Sequence, residues 1–194
     1  MVSALQKRWL LGMAVSLLSM LSTAFAWSEK LDASQSSVAI TFKQMDVPIT
    51  AYFKRFSSQL NFNAAHPELS QLEFDIDMTS LNLPAPELNG EVLKKEWFNS
   101  AAFPKAQFKA SQIKRINAAQ LEVSGKLTLK GRTQVLTFRV LQKQEAQRLV
   151  FEGSIPLKRL SFQIGEGEWK DTSMVADEVI VKFKIVTTPI NGAQ

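Results

Sequence analysis

The chain has 194 residues, a formal net charge of +5, 45% hydrophobic residues and no cysteine. Those figures exclude a disulfide-built scaffold, a thiolate nucleophile, a lipidated N-terminal cysteine and any cysteine-ligated metal or cluster. The small positive surplus is scattered, with no basic run interleaved with aromatics, which does not suit a nucleic-acid binder.

The first 26 positions read as a cleavable export signal. Lys7 and Arg8 form a positive start, positions 9–21 are apolar and uncharged, and Ala24-Phe25-Ala26 offers the small residues a signal peptidase needs, with cleavage before Trp27. The competing reading is an uncleaved anchor; the apolar stretch is short for a span, and Ser16, Ser19, Ser22 and Thr23 lie in or beside it. The Lys-Arg pair is not a twin arginine, so general secretion is expected. Removing 26 residues leaves 168, enough for one domain, and takes the net charge from +5 to +3 because Lys7 and Arg8 leave with the signal. An exported product without a further hydrophobic segment is expected to be soluble and, in a diderm bacterium, periplasmic.

Downstream, period-two alternation dominates, the mark of half-buried strands. Val38, Ile40 and Phe42 alternate with Ala39, Thr41 and Lys43. Shorter strand-like stretches follow at 49–53 and 59–62. Leu72, Phe74, Ile76 and Met78 then alternate with Glu73, Asp75, Asp77 and Thr79. Leu83-Pro84-Ala85-Pro86 breaks the pattern, and Leu88, Val92, Leu93 and Trp97 recur at helical spacing, which predicts one amphipathic helix over 87–99, with Phe98 and Phe103 near its end. Strands resume at 106–110, at 121–130 (Leu121, Val123, Leu127, Leu129), at 134–140, at 151–157 (Phe151, Ile155, Leu157), at 160–164 and at 179–186 (Val179, Val181, Phe183, Ile185). That makes about ten strands, some of them pieces of one bent strand. Positions 187–194 read as a fraying end. One wet and one apolar face, joined by short connections without intervening helices, predict an all-β antiparallel sheet that curls and closes on itself. A lone helix is expected to cover one mouth of such a barrel.

Catalytic groups are scarce. The single histidine, His66, stands in the turn-like run Ala64-Ala65-His66-Pro67-Glu68, so a His-rich zinc site is excluded and a serine triad has only that base. No Gly-x-Ser-x-Gly elbow occurs. Glu73, Asp75 and Asp77 form a stripe on a solvent face, and Asp46, Asp171 and Asp177 fall in turns. Gly165-Glu166-Gly167-Glu168 lacks the Lys-Ser/Thr of a phosphate loop and reads as a tight β connection. No enzyme, no metal and no bound cofactor is expected. What remains is bulk without polar handles: 12 phenylalanines after the signal is removed, and Tyr52 as the only tyrosine. The pattern alone fits a solid core and a hollow one equally.

Several segments in order carry a resemblance: Ser36-Ser37-Val38, Lys43-Gln44-Met45-Asp46-Val47-Pro48, Phe53-Lys54-Arg55-Phe56, Trp97-Phe98-Asn99, Phe103-Pro104-Lys105-Ala106-Gln107-Phe108-Lys109-Ala110-Ser111, Gly125-Lys126-Leu127-Thr128-Leu129-Lys130-Gly131, the run from Arg159 to Trp169, and Asp177-Glu178-Val179. Through these the chain resembles the YceI family of exported, lipocalin-like proteins, over about 27–186. The resemblance implies an extended antiparallel barrel of about eight strands with a helix near one end, over 27–188, with 189–194 as a tail. It also implies a non-covalent ligand: a long amphiphile such as a polyprenyl lipid, an isoprenoid quinone or a fatty-acid-like chain. This chain departs from the family at Gln44, where many members have His, and at Asp46 and Ala51, where the family has glycines.

Alternation and family position together nominate Val38, Ile40, Phe42, Phe53, Phe74, Ile76, Phe108, Leu127, Phe138 and Phe162 as ligand-lining, with Trp97, Phe98 and Trp169 at a mouth. A different class of function is an interaction module for a membrane redox protein such as a b-type cytochrome, using Lys54, Arg55, Lys94, Lys95, Lys158 and Arg159. Either would act as monomer or homodimer. The export reading is checked by intact-mass and N-terminal analysis of the protein recovered from a periplasmic fraction. Trp27 is expected as the first residue; a product retaining 1–26 in the membrane pellet contradicts it.

Overall fold

In the computed structural model the described residues are 28–189; the expected export signal and the positions after 189 lie outside them. Eleven strands form one antiparallel sheet. They are β1 (Ser28–Leu31), β2 (Ser37–Gln44), β3 (Val47–Phe53), β4 (Phe56–Asn61), β5 (Gln71–Asp77), β6 (Leu81–Asn82), β7 (Lys105–Asn117), β8 (Gln120–Leu129), β9 (Arg132–Glu145), β10 (Arg148–Lys158) and β11 (Val175–Pro189). Three of the interruptions lie within a continuous stave. β1 and β2 follow one another along β11, β3 and β4 follow one another along β2 and β1, and β5 and β6 are separated only by the 3-10 turn Met78–Ser80. Counted this way, eleven strands make eight staves, each beside its neighbour in the chain. The ring closes because β11 returns to pair with β2 and β1. This is the lipocalin-like barrel that the resemblance implied.

Closure is uneven along the barrel. β9 pairs with β10 only from Val140 to Glu145, against Gly153 to Arg148. Above that point 132–139 pair with β8 alone and 154–158 with β11 alone, so the wall splays at one end. Pro156 lies in this one-sided stretch, the kind of place where a residue without an N–H is accommodated.

At the tightly closed end, the inward residues Leu60, Phe62, Ile113, Leu121, Val123, Val140, Phe151 and Ile185 are buried, with Phe62 edge-on to Phe151 at 5.2 Å. Two glycines make room for aromatic rings. A Cβ on Gly125 would lie 2.5 Å from the Phe108 ring and from the Lys109 carbonyl, and one on Gly153 would lie 2.3 Å from the Phe183 ring. The rings so accommodated continue through Phe138, 5.4 Å from Phe108 and 6.1 Å from Phe183.

The other end carries the two long connections, and here the structure differs from expectation. The helix is present but short: α1 spans Asn89–Val92, preceded by the 3-10 turn Pro86–Leu88, instead of running over 87–99. Beyond Val92 the i→i−4 pattern is replaced: the Trp97 N–H donates to the Lys94 carbonyl, Phe98 N–H to Val92 and Ser100 N–H to Leu93, while the Glu96 carbonyl accepts from the N–H groups of Gly165 and Glu166 at 2.8 and 2.9 Å. Asn99 adopts a left-handed φ of 48°, which turns the chain back towards β7. The strand expected over 160–164 is a 3-10 turn, Arg159–Phe162, and Gly165-Glu166-Gly167-Glu168 is an open loop leading into a second such turn, Gly167–Lys170, instead of a tight β connection.

Arg159 explains this rearrangement. It is 3% exposed, not on the surface as an interaction module would need, and all five of its N–H donors end on backbone carbonyls of Ile164, Gly165, Trp169, Val175 and Ala176, at 2.7–3.1 Å. The chain winds round the guanidinium instead of extending. Burial lowers the Arg159 pKa, the nearby Asp177 opposing, and arginine stays charged regardless. Lys130, also buried, ties the same loop to the cap through the Gln163 and Glu96 carbonyls and the Glu166 carboxylate. At the far end the fraying expected from 187 does not occur at its first positions: Thr187 and Thr188 pair with Leu31 and Lys30.

Arg159→Met would leave five carbonyls without their donors, at a cost on the order of 3 kcal/mol. Urea denaturation followed by circular dichroism should show that loss, and Arg159→Lys should recover only part of it because three donors cannot fork among five carbonyls. Wild-type stability in the Met variant contradicts the role of Arg159.

Candidate ligand-binding site

Inside a filled barrel every inward side chain is buried. Here Ile40, Phe42, Phe74, Ile76, Phe108, Leu127, Phe138, Val181 and Phe183 all point inward yet keep partial exposure. Their free surface faces a cavity of about 570 Å³, within the roughly 300–1,000 Å³ span of small-molecule sites. It runs from the splayed part of the barrel into the closed end, where Leu60, Phe62, Ile113, Leu121, Val123 and Phe151 line it with little exposed surface. The lining is almost wholly apolar; Gln44, Thr50, Ser58, Glu91 and Arg159 are its few polar members.

The structure brings every nominated lining residue to this one cavity: Val38, Ile40, Phe42, Phe53, Phe74, Ile76, Phe108, Leu127, Phe138, Phe162, Trp97, Phe98 and Trp169. They do not contribute alike. Phe162 is fully buried, and Val38, Phe53 and Phe98 are nearly so. Trp97 and Trp169 pack at 5.3 Å, with the Arg159 guanidinium 5.9 Å from the Trp97 ring, so this pair belongs to the cap built on that cation. Pro48, Pro84 and Leu88 both line the cavity and stand open to solvent, which places the opening between the β2–β3 turn and the segment around α1. None of the three is among the nominated residues: prolines in a turn carry no periodic signal, and the spacing of Leu88 assigns it to a helix face instead of a strand. It also missed Leu81 and Leu83, which line the cavity beneath α1; the Asn89 side chain holds that segment by accepting from the Leu83 N–H at 2.9 Å.

Two polar atoms of the lining residues, Ser58 Oγ and Trp97 Nε1, are shielded from solvent and have no hydrogen-bond partner. Buried orphans are uncommon, and these sit in side chains that face the cavity. Asp46 takes φ 63°, a left-handed conformation that Asp tolerates, at the tip of the β2–β3 turn.

The carboxylate stripe lies outside the barrel in local pairs. Glu73 meets Lys109, Asp75 meets Lys105 and Gln107, and Asp77 accepts from Arg55 Nε at 2.9 Å. Hydrogen bonds from Thr79, then Arg55, hold the Asp77 carboxyl below its usual range. His66 is exposed, 3.1 Å from Glu68, far in sequence and setting from any cleft nucleophile. Lys54, Lys95 and Lys158 are exposed, whereas Arg55 and Lys94 are engaged with Asp77 and Glu91.

Residues 30–187 match the family described as YceI-like domain. A protein designated UPF0312 from Enterobacter sp. (strain 638) is 27% identical over 178 residues, covering 88% of each chain. The crystal structure of Burkholderia cenocepacia BcnA is similar with a TM-score of 0.79 and 39% identity, covering 81% of this chain and 99% of that one. A polyisoprenoid binding domain from Saccharophagus degradans, described as implicated in plant cell wall breakdown, superposes with a TM-score of 0.69 at 17% identity over 84% of this chain and 99% of its own, a likeness of fold.

Val181 lies between Ile40 and Ile155 on adjoining staves, in the cavity wall. Val181→Trp should occupy the chamber and weaken uptake of an apolar fluorophore about tenfold, ~1.4 kcal/mol, without lowering the denaturation midpoint. Unchanged uptake, or a variant destabilised as an overpacked core would be, contradicts an open chamber.

Proposed function

The chain belongs to the YceI-like domain family, and from that premise we propose that it is an exported, non-enzymatic carrier that holds one long-chain amphiphile in its barrel. An isoprenoid quinone or polyprenyl lipid is the ligand class that suits the chamber best. The observation that carries this reading is the set of inward aliphatic and aromatic side chains left partly exposed around a cavity of about 570 Å³.

The energetics favour such a ligand. Each methylene withdrawn from water contributes about 0.8 kcal/mol, so a five-carbon isoprenoid unit contributes roughly 3–4 kcal/mol. A chain of several units then needs few polar contacts, and the lining offers few. Length and bend of the cavity set the choice of ligand. Arg159 adds no direct donor, since its five N–H groups are spent on the cap. A carrier of this kind needs no nucleophile and no general base. It supports the reading that the acids face outward in local pairs.

Organic extraction of the natively purified protein, followed by mass spectrometry, is expected to yield a long-chain amphiphile at near-stoichiometric amount. Absence of any such molecule from protein isolated from its native envelope contradicts the proposal.

A further inference from the structure

The apolar surface of the cavity continues past its opening. Met45, Val47, Leu88 and Met174 are large apolar side chains exposed by 61%, 60%, 44% and 43%. Leu88 is itself part of the cavity lining, as is Pro48 next to Val47. The turns that bear them are tied together: the Met45 N–H donates to the Met174 carbonyl at 2.9 Å, and Gln44 pairs with both Val47 and Val175. Met45 and Asp46 have φ of 48° and 63°, a two-residue turn with left-handed backbone at its tip. Single exposed apolar residues need no explanation, but several around the opening of an apolar chamber form one surface.

We propose that this rim is a docking surface for a lipid bilayer, through which the cavity exchanges its chain with the membrane interior. The inference rests on the carrier reading. A long chain that crosses water between membrane and barrel exposes each methylene in turn, and the barrier grows with chain length. A mouth pressed into the acyl boundary removes that exposure, and the rim side chains gain by the same burial. Continuity between rim and lining favours lipid as the occupant, because lipid is the phase that holds the chain. Charges near the rim are mixed, Lys43 and Lys170 against Asp46, Glu87 and Asp171. Insertion, not attraction to anionic headgroups, therefore carries the contact, and neutral vesicles should suffice.

The test uses the mature chain and phosphatidylcholine vesicles containing a pyrene-labelled long-chain alcohol. The wild type should take up the probe at a rate that rises with vesicle concentration and changes little with salt. The triple variant Met45→Glu, Val47→Glu, Met174→Glu spares the lining; its uptake should slow about tenfold or more while the amount of probe held at equilibrium is unchanged. Met45→Gln, Val47→Thr, Met174→Gln, which adds no charge, should slow uptake in the same sense. An unaltered rate in both variants, or a wild-type rate independent of vesicle concentration, overturns the docking surface and leaves the carrier reading standing. Failure of the wild type to hold probe at equilibrium overturns the carrier reading, and the docking surface with it.

Discussion

A sheet with one apolar face must hide that face, and the described residues form no second sheet to place against it. The eight staves therefore curl until the last meets the first, and the inward positions of every stave share one interior. How full that interior becomes depends on how closely the wall shuts. Where β9 and β10 are hydrogen-bonded, Leu60, Phe62, Leu121 and Phe151 are buried and leave little surface free. Where the two strands part, inward side chains such as Ile40, Phe74 and Leu127 keep part of their surface open to the cavity. The cavity follows from pairing and volume, with no special residue needed to create it.

The open end has a different support. A buried arginine with five carbonyl partners is an unusual core, since a charge withdrawn from water is tolerated only when its hydrogen-bonding capacity is met. Here the guanidinium and the Lys130 ammonium act as posts round which the 159–176 connection is wound, and the Glu96 carbonyl joins that loop to the segment following α1. Apolar packing alone would leave two long connections free to slide over a hollow barrel. Directional bonds fix them, so the opening is confined to the gap between the β2–β3 turn and the 84–92 segment. A cap held mostly by polar bonds also leaves the apolar lining uninterrupted beneath it.

These two halves of the molecule were unequally legible in the sequence. Strand identity and facing were plain, because alternation such as Val38-Ile40-Phe42 or Leu72-Phe74-Ile76 records which side of a pleat meets water, and that is local. The nominated lining residues converge for the same reason. Arg159 was read as a surface charge because composition gives a lone arginine no sign of burial; its partners are carbonyls, invisible to side-chain pattern. Leu88, Val92 and Trp97 have the spacing of a helix over 87–99, but the backbone bonds beyond Val92, such as Phe98 N–H to Val92 and Ser100 N–H to Leu93, leave no trace in side-chain spacing. Hollow against filled was undecidable, since both use the same alternation and differ only in wall separation.

The proposed export, apolar ligand and membrane contact form one physical sequence: a chain insoluble in water, a wall that encloses it, and an opening whose rim resembles its interior. All of it depends on the chamber remaining open to a chain. The most direct measurement is a crystal structure of the natively isolated protein. The account predicts elongated density running from the opening beside Leu88 and Pro48 to the Phe108, Phe138 and Phe183 rings, in contact with Ile40, Phe74 and Val181. Side chains closed on one another across that space, with no continuous channel for an alkyl chain, would contradict it.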